Sequence, residues 1–247
     1  MQSAEKVFTT GSDDPGFMQR VIHMLGDESP ESKEERQAGI ERARSMELAD
    51  RQRALLEASG LSKFALQRTL ESFRFRDPLQ AEAVRIAKKF IERVPDVKRG
   101  LMIYGKTGTG KSHILKAVVH AVTQKQQPVK AYYVDCFGLQ RMLKADPDLN
   151  ARMLNCQLLA LDDLEKGLGG DAAPWVRALI KSVIDSADSD GRPILLSTSE
   201  FSLDEHRDLG KMADYLAGRL GKLMYWQHIE GPNGREIEAT EAAPWWL

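Results

Sequence analysis

Several common features are scarce or missing in the 247-residue sequence. It has only two cysteines, Cys136 and Cys156, and their spacing fits neither a metal site nor a disulfide framework. Isolated cysteines are typical of buried thiols in a reducing compartment, so we expect a cytoplasmic protein. No apolar run approaches the roughly 18 residues that a membrane span needs, and the polar first ten residues do not resemble a secretory signal. We therefore expect no association with a membrane.

Positive and negative charges nearly cancel over the whole chain, but they are unevenly distributed along it. The net charge is −1, yet residues 1–60 contain 12 acidic and 8 basic side chains, which leaves +3 for residues 61–247. An acidic segment is poorly suited to bind a nucleic-acid backbone and is better suited to bind a protein. An ordinary solvated helix face would have the same composition.

The stretch 99–113 contains a phosphate-binding loop. Gly105, Gly110, Lys111 and Ser112 fit the pattern G-x-x-x-x-G-K-[ST] without a mismatch. In this pattern backbone N–H groups surround a phosphate, the lysine reaches the terminal phosphates, and the hydroxyl binds Mg²⁺. An apolar run precedes the loop and an amphipathic helix pattern follows it, as a phosphate site requires. We predict ATP contacts from Gly105, Lys106, Thr107, Gly108, Thr109, Gly110, Lys111, Ser112 and His113.

A second chemical pattern follows about 50 residues later, where residues 157–163 end in two carboxylates. We predict that Asp162 holds Mg²⁺ together with the Ser112 hydroxyl. Asp163 would orient or deprotonate the water that attacks the phosphate. Because parallel strands end at one edge of the sheet, the residues at the end of the strand 192–198 are candidates to sense the γ-phosphate: Thr198, Ser199 or Glu200.

The remaining pattern predicts alternating strands and helices in one α/β domain. A charged helix over 32–58 has a sparse apolar stripe, and another begins at Asp77-Pro78 and ends before Pro95. Further helices are expected over 17–25, 135–144, 174–187 and 209–223. Asp135 is expected to cap the helix 135–144, and a loop is expected over 145–150. Strands are expected over 101–104, 128–134, 157–163, 192–198 and 225–229.

A family resemblance joins these motifs. The stretches Thr69-Leu-Glu-Ser-Phe73, Gly105 to His113, Leu158 to Leu164, Leu195-Leu-Ser-Thr-Ser199 and Gly218-Arg-Leu220 resemble the AAA+ ATPases of the DnaC-type helicase loaders. The IstB-type transposition helper ATPases are close relatives of these loaders. The resemblance covers about residues 55–240. It implies a five-stranded parallel AAA+ sheet flanked by helices over 63–247, preceded by a small helical partner-binding segment over 1–62.

The resemblance also implies self-association with ATP at each subunit junction. Arg219 matches the arginine finger that reaches the γ-phosphate bound by the next subunit, where it would stabilise the transition state. Arg235 would act as a sensor within its own subunit. Single-stranded DNA would lie near the helix after the second strand. This region offers an aromatic side chain for base stacking and basic side chains for contacts with the DNA backbone: Phe137, Arg141, Lys144 and Arg152.

Two departures from the family pattern affect the expected rate of ATP hydrolysis. The chain has Asp162-Asp163 where many relatives have Asp-Glu, so the second carboxylate is shorter. It has Glu200 where the family often has Asn, and an ionised glutamate cannot donate a hydrogen bond to phosphate, a task that Thr198 or Ser199 would take over. Both departures predict slow, partner-stimulated hydrolysis of ATP to ADP and phosphate.

The sequence leaves two functions open. In the preferred one, the chain is an ATP- and Mg²⁺-dependent loader whose N-terminal segment binds a replicative helicase and whose AAA+ domain binds single-stranded DNA. In the alternative, it is an IstB-type helper that binds duplex DNA and assists a transposase. A small-molecule kinase is not favoured, because no lid or acceptor signature is present. The sequence assigns no role to Trp245 and Trp246.

Overall fold

The structure is a computed structural model that describes residues 33–169, 172–199, 220 and 223–234. The chain divides into two compact units, Met1–Arg53 and Ala54–Leu247. The predicted domain boundary between residues 62 and 63 stays a prediction. The helix expected over 17–25 and most of the one expected over 209–223 lie outside the described residues. In the described part, no helix is both long enough and apolar enough to cross a bilayer.

Helix α1, Lys33–Glu57, confirms the long charged helix and has 25 residues. Hydrogen bonds between side chains three or four residues apart on its surface stabilise it, among them Gln37 with Glu41 and Arg53 with Asp50. Met46 is exposed, in agreement with the sparse apolar stripe.

The centre of the second unit is a five-stranded sheet, and every strand pairing is parallel. The spatial order is β2-β3-β4-β1-β5. This sheet with helices on both faces confirms the predicted AAA+ fold class. Its strands are β1 Gly100–Tyr104, β2 Ala131–Asp135, β3 Leu158–Asp162, β4 Ile194–Thr198 and β5 Met224–His228.

Helices cover both faces of the sheet and create two apolar cores. One core lies between the sheet and the helices α2 and α3, and the other between the sheet and α4 to α7. These helices are α2 Pro78–Arg93, α3 Lys111–Thr123, α4 Leu139–Ala145, α5 Leu149–Leu154, α6 Leu164–Leu168 and α7 Pro174–Ser189. Alternation along each strand decides which core a side chain enters.

Three local expectations were wrong, all in the connection between β2 and β3. Asp135 does not cap α4, because it ends β2 and its carboxylate accepts a hydrogen bond from Phe137 N (3.0 Å) in a turn. Helix α4 begins only after Gly138. The loop expected over 145–150 gives way to α5 at Leu149, whose side chain is fully buried together with that of Met153 one turn later.

Candidate nucleotide site

The phosphate-binding loop has the left-handed backbone that its glycines permit. Gly105, Gly108 and Gly110 have φ values of 145°, 84° and 106°. Residues with a Cβ rarely adopt such φ values, which explains why glycine is needed at these three places. Gly110 then serves as the N-cap of α3, so the N–H groups of the first turn face the loop. The N-terminus of α3 is thereby prepared for an anion.

Neighbouring segments pack tightly against the outside of this loop. A Cβ on Gly110 would lie 2.5 Å from the Phe73 ring, and one on Gly108 would lie 1.9 Å from Asn233 Oδ1. Gln80, which is buried, donates from Nε2 to Thr109 O (3.1 Å). The loop therefore has little freedom to change its backbone. None of these three supporting residues was predicted from the sequence.

Lys111 is buried at the base of the loop. Its ammonium group donates to Gly105 O (2.6 Å) and Lys106 O (2.9 Å). Lys106 and Thr107, by contrast, are exposed at the tip of the loop. The loop thus concentrates one cationic group and several backbone N–H donors around a small volume, which is the arrangement that a chain of phosphates requires.

His113 has a different role in the structure from the other loop residues. Its Nε2 lies 2.8 Å from Thr69 O, and its ring meets the Phe73 ring edge-on with 5.0 Å between centroids. These contacts connect the first turn of α3 to the segment 69–73. Whether His113 also contacts a nucleotide stays a prediction.

Asp162 lies at the carboxyl end of β3 and is buried. Tyr133 OH donates to its Oδ2 (2.6 Å), and Ser197 Oγ donates to its Oδ1. Ser197 Oγ also accepts a hydrogen bond from Asp163 N (3.0 Å). Two hydroxyl groups therefore fix the orientation of this carboxylate. Sequence reasoning missed both Tyr133 and Ser197, although alternation places each on the same sheet face as Asp162.

Helix α3 begins, and strand β3 ends, at the carboxyl edge of the parallel sheet, so Ser112 and Asp162 belong to the same edge. Lys116 Nζ lies 5.1 Å from the centroid of the Tyr133 ring, so this face of α3 packs over Tyr133. Ser112 is one turn before Lys116 on the same face, in the direction of the carboxyl edge of the sheet. Asp162 lies in that same direction from Tyr133. The structure thus brings the two residues predicted to hold a metal ion to one end of the sheet.

Asp163 has an unusual backbone conformation and a raised pKa. Its φ and ψ are 52° and 53°, and among the described residues with a Cβ it alone has a positive φ. Burial raises the pKa of its carboxyl group to about 6, and the nearby charges of Asp162, Glu165 and Asp135 add to this effect. The ammonium group of Lys111 acts in the opposite direction.

A further acidic side chain at this edge, Glu165, was not predicted as part of the site. Ser199 Oγ donates to Glu165 Oε1, and Glu165 Oε2 is buried with no partner among the described residues. The predicted sensor Ser199 therefore contacts an acidic side chain two residues after Asp163. Thr198 is buried at the end of β4, and its carbonyl oxygen accepts a hydrogen bond from Gly105 N (3.3 Å).

The residues present suit a magnesium ion that arrives with a nucleotide. Ser112 and Asp162 offer hydroxyl and carboxylate oxygens, which are hard ligands. Within the described ranges, no group of three or more His, Cys, Asp or Glu side chains is arranged to hold a metal ion. Mg²⁺ usually binds through one or two carboxylates together with phosphate oxygens and water, so two protein ligands fit this group.

The four residues predicted to contact DNA differ in exposure. Phe137 has 77% of its surface exposed, and Arg141 and Lys144 on α4 are also exposed. Arg152 is half-buried, forms an ion pair with Asp146, and lies over the Tyr132 ring at 5.8 Å. Three of the four are therefore accessible, whereas Arg152 has intramolecular partners.

Several predicted residues lie outside the described part of the chain. They are Arg219, Arg235, Glu200, Trp245 and Trp246.

Comparisons with known proteins agree with this geometry. The sequence family described as the bacterial DnaA ATPase domain matches residues 70–165. The crystal structure of the DnaC helicase loader is similar with a TM-score of 0.59 and 20% identity, covering 68% of this chain and all of that one. The structure of DnaI has a TM-score of 0.58 and 23% identity, covering 71% of this chain and 94% of that one.

A third similar structure is the replication initiator DnaA bound to AMPPCP and single-stranded DNA. Its TM-score is 0.55 with 20% identity, and the match covers 70% of this chain and 55% of that one. A search among curated protein sequences found no significant match. At these identities the likeness concerns the fold, and it confirms the resemblance predicted from the motifs.

Proposed function

This chain has the AAA+ fold of the DnaC-type helicase loaders and of the DnaA ATPase domain, and we propose its function from that fold. We propose that the chain binds ATP with Mg²⁺ and delivers a replicative DNA helicase onto single-stranded DNA during replication initiation. The observation that carries the proposal is the phosphate-binding loop at the same sheet edge as Asp162, in a fold shared with a helicase loader.

Binding of ATP would begin at the loop. The Lys111 ammonium now satisfied by Gly105 O and Lys106 O would turn to the terminal phosphates, which are stronger, charged acceptors. The N–H groups from Gly108 to Ser112 would surround the phosphates. Ser112 and Asp162 would hold the Mg²⁺, which when bound neutralises phosphate charge.

Hydrolysis would use the residues beside this pair. Asp163 would accept a proton from the attacking water or orient it, and Thr198 or Ser199 would detect the γ-phosphate. Arg219 from a neighbouring subunit would stabilise the transition state, and Arg235 would act within the same subunit. Asp163 carries a short side chain on a left-handed backbone, and this combination supports slow hydrolysis that a partner stimulates.

The partners follow from the same premise. The similar DnaA structure is described as bound to single-stranded DNA, and exposed Phe137, Arg141 and Lys144 offer stacking and phosphate contacts for such a strand. The acidic segment 1–62 would bind the helicase, and self-association would use the AAA+ interface. A replication function would take place in the cytoplasm.

The test is a pull-down of the full-length chain from its native lysate, with ATP and Mg²⁺ in one arm and ADP in the other. We expect the replicative helicase among the captured proteins, with recovery that depends on the nucleotide. Lys111→Ala should abolish that dependence and weaken ATP binding more than tenfold, since it removes a charged contact. Lys89→Ala, an exposed lysine of α2, is the matched control.

Two results would contradict the proposal. Recovery of a transposase without a helicase would favour the IstB-type function on duplex DNA. Failure of the wild-type chain to bind ATP with Mg²⁺ would exclude both functions.

A further inference from the structure

We propose that Tyr133 is a positioning residue of the nucleotide site, which together with Ser197 holds the Asp162 carboxylate in the orientation that receives Mg²⁺ with ATP. This inference rests on the proposed nucleotide binding and adds a residue that no motif in the sequence contains. It concerns how the protein prepares a metal ligand before the metal ion arrives.

The first argument is the division of donors between the two carboxylate oxygens. Tyr133 OH donates to Oδ2 at 2.6 Å, while Ser197 Oγ donates to Oδ1. Each carboxylate oxygen has two lone pairs, so each keeps one for a metal ion or for a water molecule bound to it. A carboxylate fixed at both oxygens cannot rotate about its χ2 angle without losing a hydrogen bond.

The second argument is that all three side chains are buried, with 7% or less of their surface exposed. In such surroundings water cannot replace a lost donor, so an unpaired carboxylate oxygen would be costly.

The third argument is that the strand β2 itself is held in place. Tyr133 N donates to Ser59 O (2.8 Å), and β2 pairs with β3 in the register Tyr133↔Ala160 and Asp135↔Asp162. In this register Asp162 is two residues beyond the partner of Tyr133, on the same face. The phenol oxygen therefore reaches the carboxylate from a rigid backbone, as a metal ligand's supporting group should.

The neighbouring Tyr132 provides a matched control. It is as exposed as Tyr133, at 7%, but points to the opposite face of the sheet and into the other core. No hydrogen bond joins its hydroxyl to an acidic side chain in the described part of the chain. Tyr132→Phe and Tyr133→Phe thus remove the same atom from the same strand at the same burial.

The experiment measures equilibrium binding of a fluorescent ATP analogue to the full-length chain, first in EDTA and then across a Mg²⁺ titration. We expect Tyr133→Phe to keep the affinity measured in EDTA and to raise the Mg²⁺ concentration for half-maximal effect by about tenfold or more. Tyr132→Phe should match the wild type in both measurements. Ser197→Ala removes the other donor and should shift the Mg²⁺ dependence in the same direction.

The outcomes separate this inference from the proposed function. An unchanged Mg²⁺ dependence in Tyr133→Phe and in Ser197→Ala, with normal binding by the wild type, would overturn the inference and leave ATP binding intact. Equal shifts in Tyr133→Phe and Tyr132→Phe would also overturn it, because they would indicate a general loss of packing. Absence of analogue binding by the wild type would refute the proposed function itself.

Discussion

At the scale of single residues, Asp163 has two energetically unfavourable features, one in its backbone and one in its carboxyl group. Its left-handed backbone is unfavourable for most residues with a Cβ, although aspartate and asparagine tolerate it better than others. Its carboxyl group is half-buried beside other acidic groups, so the ionised form is disfavoured. Such costs are typical of residues kept for chemistry more than for stability.

The first prediction concerns Asp163→Asn. The folded carboxyl has a pKa of about 6 against a usual value near 3.8, so the folded state binds the proton more tightly than the unfolded state. The stability that this proton provides is present below pH ~4 and is lost as the pH rises through about 6. We expect the variant to be more stable than the wild type at pH 7.5 by roughly 1 kcal/mol, a value lowered for solvent screening of a half-exposed group.

Urea unfolding at pH 7.5 and at pH 4 measures this effect. The gain in free energy of unfolding should shrink at the lower pH, where the wild-type carboxyl is protonated as well. A gain that is the same at both values would mean that the charge of Asp163 is not its cause. ATP hydrolysis by the variant should fall if Asp163 accepts the proton of the attacking water.

The second prediction compares two glycines with left-handed backbones. A Cβ at Gly110 would lie 2.5 Å from the buried Phe73 ring, whereas one at Gly191, with φ 63°, would meet nothing within 4 Å. Gly191→Ala should therefore lower the free energy of unfolding only by the cost of a left-handed backbone at alanine, about 1 kcal/mol. Gly110→Ala should lose more stability than this and should weaken ATP-analogue binding at least tenfold, because the loop must shift.

Thermal unfolding and analogue binding of the two variants give the comparison. Equal losses of stability, with normal nucleotide binding by Gly110→Ala, would show that Phe73 does not restrain the loop.

At the scale of secondary-structure elements, the start of α2 connects to the phosphate-binding loop. Asp77 is the N-cap of this helix and its Oδ1 accepts from Leu79 N (2.8 Å). One residue further, Gln80 accepts from Arg76 N (2.7 Å) and donates to Thr109 O (3.1 Å). The N-cap therefore fixes the backbone position of Gln80, whose side chain supports the loop.

The third prediction is that Asp77→Ala lowers the free energy of unfolding by about 1 kcal/mol, the usual cost of losing an N-cap. It should also weaken ATP-analogue binding by a factor of a few, since Gln80 loses its fixed backbone. Asp77→Asn retains a capping oxygen and is the matched control. If both variants unfold alike in urea, the capping hydrogen bond is not what stabilises this end of α2.

At the scale of the whole molecule, the three exposed DNA candidates of this near-neutral chain lie on one short segment, and half-buried Arg152 lies on the next helix, α5. Arg141 and Lys144 lie on α4, and exposed Phe137 precedes them at the carboxyl edge of the sheet. The exposed DNA candidates therefore follow directly after Asp135, at the sheet edge where β3 ends in Asp162.

The fourth prediction tests these contacts with the double variant Arg141→Ala and Lys144→Ala. We expect its affinity for single-stranded DNA at low salt to fall about tenfold, and its salt dependence to become shallower by a slope of about 1.4. Lys89→Ala with Lys98→Ala removes the same charge from two other exposed lysines. Fluorescence anisotropy with a labelled oligonucleotide would measure both variants, and equal losses would indicate a nonspecific charge effect.

Much of the fold followed from patterns that act over short distances. Glycine spacing predicted the phosphate-binding loop, and apolar runs predicted five strands within a few residues of their bounds. The short helix α5 was missed because Pro147 and its acidic neighbours favour a loop, although Leu149 and Met153 have helical spacing. Helix α6 was missed because five residues with a glycine carry almost no periodic signal.

The sequence by itself determined the loop, the paired carboxylates and the two faces of each strand, because these depend on neighbours a few residues apart. Only the tertiary structure decided that Tyr133, Ser197 and Asp162 meet, since they come from three strands whose spatial order no local pattern contains. The same holds for Gln80 on Thr109, which lie 29 residues apart. Contacts between distant segments form through packing of the whole sheet and its helices, so no single stretch of sequence carries them.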